Sequence, residues 1–151
     1  MNKTQVKKLL VEERKSMREK QKHSEFMRKT LSIFNGQVRR ADELGRKPSY
    51  TLEIFRRFFR AGLDAGCHYT GVRLTLKTAT VDHDEPIARG GTFNLDNLKV
   101  CSVSANFQKG IMTGAEYSQL MEQARILLDP VALDDLKRRL TTGGKWLARK
   151  F

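Results

Sequence analysis

Two short β-forming segments lie between stretches of helical periodicity, and they constrain the fold more than any other feature of the chain. Residues 72–81 are rich in Val, Leu and Thr, predict a strand or a hairpin and end directly at Asp82-His83, and a second short segment lies near 97–100. Residues 103–109 then have the length of one short helix. Two short strand-forming runs followed by a helical run predict a strand–strand–helix unit. We therefore expect an α+β fold in which this unit is enclosed by helices.

The amino-terminal flank is predicted to be helical. Residues 3–35 have apolar clusters at helical spacing around a strongly polar middle, and Gly36 is expected to end this helix. Arg39 and Arg40 then fall on a short helical fragment that leads into a basic turn. A helix with so polar a middle is expected to project from the core, or to be partly disordered without a partner.

A second helix is expected after Ser49 or Thr51, either of which could cap it. One face carries Phe55, Phe58 and Phe59, and its spacing favours a buried core face over a surface on which bases stack. Gly66 is expected to terminate this helix.

The carboxyl-terminal flank is also predicted to be helical. Thr113-Gly114-Ala115-Glu116 is a capping box that opens a helix to about residue 128. Asp129-Pro130 starts another helix, expected to end near residue 140, and a basic tail follows Gly143-Gly144.

The charge of the chain is high and uneven. Its 151 residues include 29 Lys and Arg against 17 Asp and Glu, for a net charge of +12. Residues 1–66 hold 17 of the basic and eight of the acidic side chains, whereas residues 67–113 are almost balanced, with five against four. Such a field attracts polyanions and favours phosphate contacts. We expect the amino-terminal helices to grip a nucleic-acid backbone while the central unit carries the chemistry.

The compartment is expected to be reducing. Two cysteines, Cys67 and Cys101, are too few for a disulfide framework. The chain has no apolar run of membrane-spanning length, and residues 1–8 lack the apolar centre of a signal peptide. These features predict a cytoplasmic protein without a membrane partner.

The central segment combines a carboxylate–histidine pair with a glycine loop and two asparagines. In order, the sequence reads Asp82-His83-Asp84-Glu85-Pro86, Arg89-Gly90-Gly91, Asp96-Asn97-Leu98 and Asn106-Phe107-Gln108-Lys109-Gly110. This pattern resembles that of the HNH nucleases, also called ββα-metal or His-Me finger nucleases. Asn97 follows His83 by 14 residues and Asn106 follows it by 23, in the family's order. The resemblance covers residues 67–113, under a third of the chain.

The resemblance implies a role for each of these residues. His83, with an ordinary pKa of about 6.5, would be the general base. Neighbouring side chains of a strand point to opposite faces, so Asp82 would point away from His83 and hold the metal. Asn106 would be the second metal ligand. Such an all-oxygen pair suits Mg²⁺ or Mn²⁺. Asn97 would bond across the loop and fix the His83 region. Asp84 and Glu85 are interpreted as solvated or DNA-repelling loop residues, and the alternative is a supporting role beside the metal ligands.

Several cations are candidate contacts to double-stranded DNA. Two lie within the motif and the others lie on the helices before it. They are Arg89, Lys109, Arg56, Arg57, Arg60, Arg39 and Arg40.

One departure from the family concerns zinc. Many HNH proteins bind a structural zinc through two Cys-x-x-Cys pairs, whereas Cys67 and Cys101 are each left without the second cysteine. Two thiolates do not make the four-ligand site that structural zinc prefers. We expect no structural zinc, with the two cysteines close together.

The resulting hypothesis is a metal-dependent HNH DNA endonuclease that leaves 5′-phosphate and 3′-hydroxyl ends. Three parts are expected: a basic helical arm that extends onto DNA (1–48), the nuclease core with flanking helices (49–128), and a carboxyl-terminal helix with a basic tail (129–151). The small size resembles phage or intron-borne homing endonucleases, acting in a bacterial host or a phage-infected cell. Cutting both strands would require a homodimer or sequential nicks. The alternatives are a non-catalytic DNA-binding protein on an HNH scaffold and a basic RNA-binding or packaging factor.

Overall fold

The computed structural model describes the backbone of residues 2–148 and side chains as far as residue 143. Five α-helices and a two-stranded antiparallel sheet make an α+β fold. The elements are α1 (Lys3–Glu43), α2 (Leu52–Ala65), β1 (Ala79–His83), β2 (Leu98–Ser102), α3 (Val103–Lys109), α4 (Gly114–Leu127) and α5 (Pro130–Ala148), with 3₁₀ turns at Ile87–Arg89 and Leu95–Asn97.

Helix α1 is longer than expected. It continues through Gly36 to Glu43, so the prediction that Gly36 ends it is wrong. Two residues beyond this glycine, Gln37 and Ala41, are buried against the rest of the chain, and this packing outweighs the cost of about 1 kcal/mol that a glycine imposes inside a helix. Arg39 and Arg40 therefore lie on regular helix. Residues 2–24 of the same helix are exposed throughout, so its amino-terminal half projects from the core as expected.

Helix α2 supplies the aromatic centre of the core. Thr51 caps it, with the Thr51 side chain accepting from the Ile54 amide, and Gly66 ends it at φ 91°. Phe55 and Phe59 are fully buried, which confirms the core interpretation of the aromatic face. Their rings lie 6.1 Å apart, and Phe59 also packs on Phe26 of α1.

The β element is shorter than the sequence suggested. Residues 72–78 are not a strand, because Thr75 and Thr78 each accept a hydrogen bond from the other's backbone amide and close a turn. The strand begins at Ala79 and pairs antiparallel with β2, with Asp82 opposite Lys99 and His83 opposite Leu98. This register carries the Asp82-His83 pair to the end of the sheet.

The helices after the sheet follow the predicted caps. Helix α3 occupies residues 103–109 as expected, and Thr113 with Glu116 forms the capping box of α4. Helix α5 begins at Pro130 but extends beyond residue 140 to Ala148. The side chains of the predicted basic tail, from Lys145 onward, lie outside the described residues. Helix α3 packs against both strands and against α5, which fixes it beside the end of β1.

Among residues 2–148, none of the helices combines the length and the apolarity that a membrane span needs.

Candidate active site

The end of β1 and helix α3 bring the predicted site residues into one neighbourhood. Strand β1 ends with Asp82 and His83, and α3, which packs against β1, brings Lys109 to this strand end and carries Asn106 one helical turn earlier. Side chains alternate along a strand, and the two neighbours have different surroundings. His83 faces the Phe93 ring, with ring centroids 5.3 Å apart, whereas Asp82 faces Tyr69 and Lys109.

His83 is buried and neutral at pH 7. The residue is 4% exposed, and its Nε2 atom has no hydrogen-bond partner among the described residues. Burial lowers the pKa of His83 to about 4, with smaller contributions from the positive charges of Arg40 and Lys109. A buried polar atom without a partner costs free energy, and a catalytic role is one explanation for its presence. The unprotonated imidazole has a free lone pair with which to accept a proton.

Asp82 is held by two donors. Its Oδ2 atom accepts a hydrogen bond from the Tyr69 hydroxyl at 3.1 Å and lies 2.9 Å from Nζ of Lys109. Burial raises the pKa of Tyr69 far above its usual range, and the carboxylates of Asp82 and Asp84 add to this effect. Tyr69 therefore stays a proton donor to Asp82. The Oδ1 atom of Asp82 accepts no hydrogen bond within the described part of the chain.

Asn106 lies on α3 one helical turn before Lys109, and its side chain carries a second oxygen. It is half-buried on α3, its backbone carbonyl accepts from the Gly110 amide, and its side chain has no hydrogen bond to another described residue. Asp82 Oδ1 and the Asn106 amide oxygen are thus both uncommitted. A carboxylate and an amide are hard oxygen donors of the kind that Mg²⁺ and Mn²⁺ accept, so these residues fit the expected metal. No group of three or more His, Cys, Asp or Glu side chains that could hold a metal occurs among the described residues.

Asn97 fastens the loop that follows His83. Its Oδ1 atom accepts from the Glu85 amide at 2.9 Å, and its Nδ2 atom donates to the carbonyls of Glu85 and Thr92 at 3.0 and 2.9 Å. The Asn97 carbonyl also accepts from the Asp84 amide. Gly91 closes the loop so tightly that a Cβ atom there would overlap the Glu85 carbonyl. Asn97 therefore bonds across the loop that follows His83, as the sequence pattern led us to expect.

Lys109 does not lie on the surface, where a phosphate contact would require it. Its side chain is 0% exposed, and Nζ donates to the His83 carbonyl at 2.9 Å as well as pairing with Asp82. Lys109 was predicted from the sequence to contact phosphate, and nothing in the sequence indicates that its side chain is buried.

The candidate DNA-binding arginines differ in their contacts with other residues of the chain. Arg56 donates to the Thr30 hydroxyl and the Met27 carbonyl, and the guanidinium of Arg60 lies 3.8 Å from the centre of the Phe26 ring. Both therefore contribute to holding α1 on α2.

The other candidate arginines are exposed, as Arg60 is. Arg57, Arg39 and Arg89 have carboxylate partners, namely Glu53, Glu43 and Glu116 in that order. Arg40 has no ion pair with a described residue, and its charge acts on His83.

Two residues of this neighbourhood were not predicted from the sequence to belong to the site, and a third was given a different role. Tyr69 was assigned no role, Gly114 was assigned only a place in the capping box of α4, and Asp84 was interpreted mainly as a solvated loop residue. Asp84 is half-buried and lies 3.5 Å from the Tyr69 hydroxyl, on the same side as Asp82. A Cβ atom at position 114 would overlap the Asp84 carboxylate, so only glycine allows this approach. The spacing of Asp82 and Asp84 by two residues was the available signal, because strand side chains two apart share a face.

The two cysteines are neighbours and are both reduced and buried. Cys67 Sγ accepts from the amide of Ser102, the residue that follows Cys101, at 3.3 Å. Burial raises the pKa of the Cys101 thiol. The expected proximity of the two cysteines is confirmed.

Comparison of the chain with known protein families and with curated proteins finds no match.

Proposed function

We propose that this chain is a metal-dependent DNA endonuclease of the HNH type. The observation that carries the proposal is the position of His83: a buried, neutral imidazole with an uncommitted Nε2, next to a carboxylate that faces the other way. A general base that is unprotonated at neutral pH and a separate oxygen site for a cation are the two elements that phosphodiester hydrolysis needs.

In the proposed reaction, His83 Nε2 takes a proton from the water that attacks phosphorus. A P–O bond to this water forms as the bond to the 3′ oxygen breaks, which leaves a 5′-phosphate and a 3′-hydroxyl. Asp82 and Asn106 would hold a divalent cation, and when bound this cation would supply positive charge to stabilise the negative charge that develops on the phosphate and the departing oxygen. Since Nε2 is enclosed in the free chain, DNA binding has to admit the attacking water to it.

Three residues orient this arrangement without touching the phosphate. Tyr69 and Lys109 hold the Asp82 carboxylate from one side, so its other oxygen is left for the cation. Asn97 ties the loop after His83 to the start of β2. Both sets of hydrogen bonds fix positions before substrate arrives, which lowers the cost of reaching the transition state.

The partner in this proposal is double-stranded DNA, attracted mainly by α1. Residues 2–24 are exposed on all sides and rich in Lys and Arg, and Arg40 lies at the other end of the same helix, near His83. A projecting basic helix contributes backbone contacts that carry no sequence information.

The test is conversion of supercoiled plasmid with and without Mg²⁺, comparing the wild type with His83→Ala. We expect metal-dependent nicking that falls at least a hundredfold in the variant, within the usual contribution of a general base of about 10²–10⁴. His68→Ala is the matched control, since His68 is an exposed histidine with no role in the proposed reaction and should leave nicking unchanged.

Equal nicking by wild type and His83→Ala would exclude His83 as the base. Tight DNA binding without nicking of several substrates would instead favour a non-catalytic DNA-binding protein. Stronger binding to RNA than to duplex DNA would favour the RNA-binding alternative.

A further inference from the structure

A fully buried ammonium group lies against the carboxylate that the proposed function assigns to the metal. The Lys109 side chain is 0% exposed, and its Nζ is 2.9 Å from Asp82 Oδ2 and 2.9 Å from the His83 carbonyl. The Tyr69 ring adds a third contact, with its centre 5.8 Å from Nζ. Burying a charge is costly unless it is paired and hydrogen-bonded, and Lys109 meets both conditions only through the Asp82–His83 strand end.

This ion pair neutralises Asp82 without any metal. The carboxylate is itself only 14% exposed, so its attraction to the ammonium is screened far less than on the surface. A divalent cation at Asp82 Oδ1 would share one carboxylate with a fixed positive charge. Since like charges at a common ligand repel, the ammonium must weaken the binding of the second cation.

We propose that Lys109 is a built-in competitor of the divalent cation: it occupies one side of Asp82, keeps that carboxylate oriented in the metal-free protein, and holds metal affinity low. The inference rests on the proposed function, because it takes Asp82 as a metal ligand. Lys109 is then a positioning residue that acts through Asp82 and touches neither water nor phosphate.

Two substitutions separate the charge of Lys109 from its hydrogen bonds. Lys109→Gln retains an N–H donor for Asp82 and the His83 carbonyl but has no charge, whereas Lys109→Met removes both. The matched control is Lys99→Met, because Lys99 lies opposite Asp82 in the sheet register but donates its Nζ to the Asp96 carbonyl. This control removes the same charge from the same face and leaves the Asp82–Lys109 pair in place.

The experiment measures Mn²⁺ binding to the full chain in the absence of DNA, by the electron paramagnetic resonance signal of free Mn²⁺. We expect Lys109→Gln to bind Mn²⁺ at least tenfold more tightly than the wild type, and Lys99→Met to stay within threefold of it. The rise in melting temperature on adding Mn²⁺ should also be larger for Lys109→Gln, since a ligand that binds the folded state more tightly stabilises it more. If Lys109→Met does not fold, the Gln variant still decides the question.

Unchanged or weaker Mn²⁺ binding by a folded Lys109→Gln protein would overturn the competitor role. The Asp82→Asn variant separates this failure from failure of the proposed function. If Mn²⁺ binding is abolished in Asp82→Asn but is unaffected by Lys109→Gln, the metal site stands and only the competitor role falls. If neither the wild type nor Lys109→Gln binds Mn²⁺, both proposals fall.

Discussion

The buried state of His83 makes the stability of the metal-free protein depend on pH. In the unfolded chain this imidazole has its ordinary pKa of 6.5, and in the folded chain burial and two nearby cations lower the pKa to about 4. Between these values the unfolded chain binds a proton at His83 that the folded chain does not. The contribution of neutral His83 to the stability of the folded chain is therefore fully present above pH 6.5 and is lost as the pH falls toward 4.

The size of the effect follows from the two pKa values. Each pKa unit corresponds to about 1.4 kcal/mol, so the full loss below pH 4 is about 3 kcal/mol. Between pH 7 and pH 5, protonation of the unfolded state at His83 accounts for about 2 kcal/mol of it. His83 is almost fully buried, so solvent screening does not reduce this figure appreciably.

Urea denaturation of the metal-free protein at pH 7 and pH 5 measures this loss. The free energy of unfolding of the wild type should fall by about 2 kcal/mol more than that of His83→Gln, because all other titrating groups are common to both proteins. His23→Gln, which removes an exposed histidine of α1, should follow the wild type. Equal losses for wild type and His83→Gln would show that His83 is not buried in a neutral state, and would remove the main support for its role as a base.

Three other substitutions or deletions test different parts of the site. Asn97→Ala removes the hydrogen bonds to Glu85 and Thr92, so we expect a loss of about 2 kcal/mol of stability by urea denaturation and a fall in nicking; unchanged stability would show that the loop holds without it. Arg40→Ala should lower nicking about tenfold. Arg39→Ala should stay within about twofold of the wild type, because the Arg39 guanidinium already faces Glu43. Equal effects of the two substitutions would exclude a role for Arg40 at the candidate site. Deleting residues 2–24 should flatten the salt dependence of DNA affinity by about 0.9 in log–log slope for each phosphate that this segment neutralises, measured by fluorescence anisotropy, and an unchanged slope would remove the arm from the binding surface.

Local sequence signals predicted the helices whose ends and faces depend on nearby residues. Thr51 and the Thr113–Glu116 pair were recognisable caps, because each provides a side chain at the spacing that satisfies a free backbone amide. The Phe55–Phe59 face was recognisable as core by its four-residue spacing. The short helix α3 was also predicted at its observed bounds.

Features decided by tertiary packing were not predictable in this way. Gly36 was expected to end α1, but the next turn of helix is buried against residues distant in sequence. The β-forming residues 72–78 were expected to extend β1, but a pair of threonine hydroxyls closes a turn there. In both cases the local preference is about 1 kcal/mol or less, so a few favourable interactions elsewhere suffice to reverse it.

The charges of the central segment show most clearly why sequence reasoning about the site is incomplete. Counted from the sequence, Lys109 and Arg89 are two cations beside the proposed scissile phosphate. In the structure, however, Lys109 is paired with Asp82 and Arg89 with Glu116, so both charges are balanced by carboxylates of the chain itself. In the proposed reaction, the side-chain charge that would attract a phosphate toward His83 therefore has to come from another residue. Arg40 is the nearby cation whose charge reaches His83 and which has no carboxylate partner among the described residues. Arg40 belongs to α1, the helix that was predicted from the sequence to be an arm separate from the nuclease core. This helix therefore supplies the unbalanced positive charge near His83.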